Sequence, residues 1–143
     1  MEIAIGSDHA GFDLKEQVIA YLKSKNFSVL DKGCYSAERT DYPDYGHAVA
    51  NEVLNKNVLG IVICGSGNGI NMTANKHKGI RSALCWTAEI AEMARLHNDA
   101  NILTLPARYI TEEEATKMCD IFYSTAFEGG RHTERVKKIA EGC

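Results

Sequence analysis

The stretch Leu59-Gly60-Ile61-Val62-Ile63-Cys64 is the most apolar run in the chain, and Gly65-Ser66-Gly67-Asn68-Gly69 follows it at once. An unbroken apolar run of this length predicts a strand covered on both faces, as in a parallel sheet. A helix-compatible segment then continues to about Asn75.

The rest of the chain repeats this alternation. Ile3-Ala4-Ile5-Gly6 is a short apolar run ending in glycine. Leu14, Val18, Ile19 and Leu22 recur at helical spacing behind it. Phe27 to Asp31 reads as a second strand. The polar span from Lys32 to Asp44 holds Gly33 and Pro43 and reads as a loop. Tyr45 to Lys56 reads as a helix. Ser82 to Cys85 is a fourth strand. Thr87 caps a helix to Leu96, with Ile90, Ala91 and Ala94 expected on its inner face. Asn101 to Leu105 is a fifth strand. Thr111-Glu112-Glu113-Glu114 is a capping box opening a helix to about Ser124. Gly129-Gly130 breaks the chain, and a basic final helix starts near Thr133.

This order predicts a doubly wound parallel α/β sheet with helices on both faces. Such sheets bind ligands beyond the C-terminal ends of their strands. Function is therefore expected just after Ile5, Ile63, Leu84 and Leu105.

At 143 residues the chain has the length of one domain, spanning 1–143. A net charge of −3 argues against nucleic-acid binding. No run approaches the ~18 apolar residues of a membrane span. The start carries no secretory pattern, which points to the cytosol. The five cysteines, at 34, 64, 85, 119 and 143, include no CxxC pair, so a disulfide framework or zinc ribbon is not expected. No His/Cys/Asp/Glu set has metal-ligand spacing, so neither metal nor cofactor is expected.

Four constellations carry chemistry. Gly6-Ser7-Asp8-His9-Ala10-Gly11 closes strand one. Asp8 and His9 there suit proton transfer or a sugar hydroxyl, or Asp8 simply caps a helix. In Cys64 to Gly69, glycines let the backbone approach a ligand, and N–H groups at a helix N-terminus suit an anion. The helix dipole is expected to lower the Cys64 thiol pKa; the alternative is a small buried apolar residue. His97-Asn98-Asp99 ends the fourth helix and is expected near the same sheet edge. Arg108 stands after strand five. Arg131 and Arg135, four apart on one helix face, suit a phosphate dianion, or form a solvated basic face.

Together, Ile3–Gly11, Glu38–Pro43, Cys64–Gly69, Ala74-Asn75-Lys76, His97–Asn101 and Glu128–His132 resemble the ribose-5-phosphate isomerase type B family, which includes allose- and galactose-6-phosphate isomerases. The resemblance implies a three-layer α/β/α Rossmann-like fold with a five-stranded parallel sheet and a C-terminal helix. It implies a homodimer, in some members paired into a tetramer, with sites at the subunit interface. It also implies metal-independent interconversion of ribose 5-phosphate and ribulose 5-phosphate through a cis-enediolate.

By the same resemblance Cys64 is the base. One branch of the family uses a glutamate just after the glycine loop, where this chain has Ile70, so this chain falls in the cysteine branch. Ser66 assists proton movement between the enediolate oxygens, and the N–H groups of Gly65, Ser66, Gly67, Asn68 and Gly69 hold the charge. His97 protonates the ring oxygen with Asp8 as its counterpart. Asn98 binds a sugar oxygen. His9, Arg108, Arg131 and Arg135 grip the phosphate, and Tyr42 lines the pocket. The rivals are a six-carbon sugar phosphate as substrate and a non-catalytic nucleotide-binding module.

Overall fold

The computed structural model describes residues 1–142, and Cys143 lies outside the described residues. Five strands form one sheet: β1 (Glu2–Ser7), β2 (Ser28–Asp31), β3 (Leu59–Cys64), β4 (Ser82–Leu84) and β5 (Ile102–Pro106). Their order is β2-β1-β3-β5-β4, and every pairing is parallel. The helices are α1 (Phe12–Ser24), α2 (Tyr42–Lys56), α3 (Asn68–Ala74), α4 (Ala88–Asn98), α5 (Glu112–Ser124) and α6 (His132–Lys138). Among the described residues no helix is long and apolar enough to cross a membrane.

Alternation along the strands divides the core into two layers. Ile61 and Ile63 of β3 face α1, α4 and α5, where Leu14, Val18, Ala91, Met118 and Phe122 are buried with them. Val62 and Cys64 face α2 and α3, against Val49, Val53, Ile70 and Ala74. A strand buried on both faces needs no polar alternation, which explains the apolar run. The three-layer α/β/α arrangement expected from the sequence is therefore present, with α6 added beside α4.

Two local expectations are corrected. Pro43 does not extend the loop: α2 begins at Tyr42, with Pro43 in its first turn. Proline lacks a donor that the first turn would leave unpaired anyway, and its φ is already helical. Ile90 is not an inner-face residue. It is 50% exposed, while Ala91 and Ala94 are buried. Both expected caps form: Thr87 accepts from the Ile90 N–H, and Thr111 from the Glu114 N–H.

Candidate active site

The chain runs from β1 outward to β2, then returns to place β3 on the other side of β1. Such a reversal opens a crevice beyond the C-terminal strand ends. Asp8 follows β1 and Cys64 ends β3, so both line this crevice.

Asp8 is buried, and its carboxylate accepts from the Gly11 N–H at 3.1 Å. The capping role is thus real, and one carboxylate oxygen takes it up. Beside it, the His9 Nδ1 accepts from the Thr40 N–H at 3.2 Å. Gly11 lies tight against β3, and a Cβ there would sit 2.8 Å from the Ile63 carbonyl oxygen.

Cys64 is 4% exposed, and burial raises its thiol above the usual range. The N–H groups of Ile70, Gly67 and Gly69 oppose that shift, and the charge of Asp8 reinforces it. The helix N-terminus therefore acts as expected but does not win. Loss of hydration outweighs it, so the expected lowering is corrected to a net rise. Ser66 Oγ accepts from the Asn68 N–H at 3.3 Å, and Gly67 turns the loop at φ +78°.

Arg108 donates its backbone N–H to the Gly65 carbonyl, and its guanidinium lies over Gly65. The Tyr42 ring covers Gly69 so closely that any Cβ there would overlap it. One edge of the sheet thus gathers Asp8, His9, Tyr42, the loop from Cys64 to Gly69, and Arg108.

The remaining candidates lie elsewhere. His97 and Asn98 close α4, and the chain then enters β5 at Ile102. The Arg81 guanidinium, just before β4, bonds the Asn98 and Asp99 carbonyls. His97 and Asn98 therefore sit at the N-terminal strand ends. The expectation that they share an edge with the glycine loop is corrected. Six residues of β3 separate the two edges, roughly 16 Å at strand rise. A crossover helix runs antiparallel to the strands it joins, so residues just before a strand always start at that far edge. That rule was the signal available in the sequence.

Arg131 and Arg135 keep company with His97. The Glu128 N–H donates to the Leu96 carbonyl, and the His132 ring stacks on that of His97. The Glu128 carboxylate lies 3.7 Å from His97 Nε2 and 3.4 Å from His132 Nε2. Burial lowers the His132 pKa, as do the charges of His97 and Arg131. The sequence assigns Glu128 and His132 no role, because nothing in their spacing ties them to His97. Nor does any Asp8–His97 contact occur within the chain: Asp8 bonds Gly11 and His97 faces Glu128.

The two groups also line separate hollows. Tyr42 and Gly69 share one with Met72 and Lys76, and Asn98 shares another with Asn75, Ser82 and Ile139.

Comparisons with known proteins agree in family. Ribose-5-phosphate isomerase B of Escherichia coli is 44% identical over 139 residues, covering 96% of this chain and 93% of that one. The crystal structure of a ribose 5-phosphate isomerase from Thermotoga maritima superposes with a TM-score of 0.96 at 50% identity, covering 98% of this chain and 97% of that one. The Mycoplasma genitalium ribose-5-phosphate isomerase B, solved with bound ribulose 5-phosphate, gives a TM-score of 0.94 at 43% identity, covering 99% and 95%. The family profile described as Ribose/Galactose Isomerase matches residues 3–139, and the chain belongs to that family.

Proposed function

We propose that this chain is a ribose-5-phosphate isomerase that works as a homodimer with two sites. Each site joins the glycine-loop edge of one protomer to the α4–α6 end of its partner. The observation that carries the dimer is the separation of the two residue groups across the sheet. Asp8 and Cys64 on one edge cannot meet His97 on the other within a single chain.

In this reading the partner subunit's His97 donates a proton to the sugar ring oxygen, and Asp8 takes the proton of the C1 hydroxyl. The ring opens to the aldehyde. The Cys64 thiolate removes the proton on C2 and returns it to C1. Ser66 passes a proton from O2 to O1, and the loop N–H groups hold the enediolate charge. The partner subunit's Asn98 binds a sugar oxygen. His9 and Arg108, with the partner subunit's Arg131 and Arg135, hold the phosphate dianion. Tyr42 closes the sugar pocket. No step needs a metal.

The glycine loop favours this reading over a nucleotide-binding module. Its N–H groups at Gly67, Gly69 and Ile70 act on a thiol, which a phosphate cradle has no use for. The test is ribose 5-phosphate turnover with EDTA present, for wild type and Cys64→Ala. Wild-type activity survives EDTA and falls at least ~100-fold in the variant, the scale of a lost acid–base group. Full activity in Cys64→Ala sinks the thiolate mechanism. A blank wild type moves the assay to six-carbon sugar phosphates.

A further inference from the structure

The fold assembles a group that the sequence spacing conceals. His97, Glu128 and His132 bring three ligand atoms within 4.8 Å of one another. Zinc bonds His and carboxylate ligands at about 2.0–2.2 Å, so neighbouring corners of its tetrahedron lie about 3.4 Å apart. The His132–Glu128 edge is 3.4 Å and the His97–Glu128 edge is 3.7 Å.

A second observation is independent of those distances. His132 Nε2 is buried and has no hydrogen-bond partner. The Glu128 carboxylate is near it but not in hydrogen-bonding geometry. A buried imidazole nitrogen left unpaired is a costly arrangement that a cation would relieve. The two rings are nearly parallel, 16° between planes, so a shared ion requires one of them to turn. His97 is the one with room, at 38% side-chain exposure against 7% for His132.

We infer that His97, Glu128 and His132 form an inhibitory site for a zinc-class divalent cation. The ion takes three protein ligands and leaves one position to solvent. It removes His97 from proton transfer to the sugar ring. The guanidiniums of Arg131 and Arg135 oppose a dication, so this is a brake engaged at raised metal rather than a resident cofactor. The inhibitory part rests on the isomerase reading, whereas the binding part does not.

The test measures Zn2+ binding to the full chain by equilibrium dialysis, and Zn2+ inhibition of ribose 5-phosphate turnover. The variants are Glu128→Gln, His132→Gln and His47→Ala. The last disrupts the other close histidine pair, His47 and His77, whose ring nitrogens are 2.7 Å apart. The expected result is one Zn2+ per chain at the three-residue site. Affinity falls at least ~10-fold in Glu128→Gln and His132→Gln, about 1.4 kcal/mol, and is unchanged in His47→Ala. Inhibition weakens in parallel. Glu128 is exposed, so Glu128→Gln carries the test should His132→Gln misfold. Unchanged affinity in Glu128→Gln, or loss only in His47→Ala, overturns the site. Binding without inhibition of an active enzyme overturns the brake. A chain that binds Zn2+ as expected but turns over no sugar phosphate keeps the site and loses the isomerase reading.

Discussion

The imidazole of His97 lies on that of His132, with ring centroids 4.3 Å apart. One ring closes α4 and the other opens α6, so the stack ties the C-terminal helix to the end of α4. It also holds His97 at the edge of the sheet opposite Cys64. His97→Asn is expected to lower ribose 5-phosphate turnover at least ~100-fold. A substrate lacking the 4-hydroxyl, 4-deoxyribose 5-phosphate, cannot close the ring. Its turnover should fall far less. Equal losses on both substrates would remove the ring-opening role.

The resting thiol of Cys64 has a testable pH signature. In the proposed mechanism the base is the thiolate, and burial holds the thiol above its usual range. The reactive fraction is therefore small at neutral pH and grows with pH. The expected kcat/KM for ribose 5-phosphate keeps rising through pH 8. A plateau below pH 7 would mean that the assembled site lowers the thiol pKa after all.

Buried thiols also set alkaline stability. Burial pushes Cys85 and Cys119 to about 12, whereas unfolded thiols titrate near ~8.5. Between those values the unfolded state loses a proton that the folded state keeps. Stability is thus full below the unfolded pKa and falls as pH rises, by about 1.4 kcal/mol per pH unit for each thiol. Melting temperatures should be level between about pH 7 and 8 and decline above about pH 9. Cys119→Ala should melt lower at pH 7 yet decline less steeply.

Two glycines separate a yielding clash from a rigid one. A Cβ on Gly11 meets the Ile63 carbonyl oxygen at 2.8 Å, and backbone cannot move aside. A Cβ on Gly69 meets the Tyr42 ring, whose residue is 40% exposed and can swing away. Overpacking costs about 1–3 kcal/mol. Chemical denaturation should put Gly11→Ala near the upper end and Gly69→Ala near the lower. Gly69→Ala should also raise KM by displacing Tyr42, and Tyr42→Ala added to it should restore stability but not KM.

Lys15 is fully buried, and its ammonium bonds both Asp31 oxygens at 2.8 Å. Glu16 supplies a second contact at 3.0 Å. Removing one partner of a buried pair strands a charge, at about 3–5 kcal/mol. Asp31 is 30% exposed and Glu16 remains, so Asp31→Asn should cost about 2 kcal/mol. Lys15→Met, which keeps the stem and removes the charge, should cost less than Asp31→Asn. The reverse order in urea titrations would contradict this account.

Much of the fold was legible because its signals are local. The β3 run, the Thr87 and Thr111 caps and the glycine break at 129–130 each lie within a few residues of what they control. The fold departs from the sequence pattern where a local cue has two meanings. Pro43 marks a loop or a helix's first turn, and only Asp41 and Tyr42 in place show which. Ile90 fits the apolar period of α4, but the inner stripe is filled by the small Ala91 and Ala94 against α5, leaving Ile90 outside.

The sequence by itself determined the strand–helix alternation, the Cys64–Gly69 loop and the family, since each depends on residues adjacent along the chain. Tertiary structure decided which residues share an edge. The antiparallel return of α4 carries His97 and Asn98 away from Cys64, and the packing of α6 on α4 sets Glu128 and His132 beside them. It also decided the ionisation of Cys64, because burial and N–H groups act through space on one sulfur. Distance across the sheet, invisible in the order of residues, is what separates His97 from Cys64.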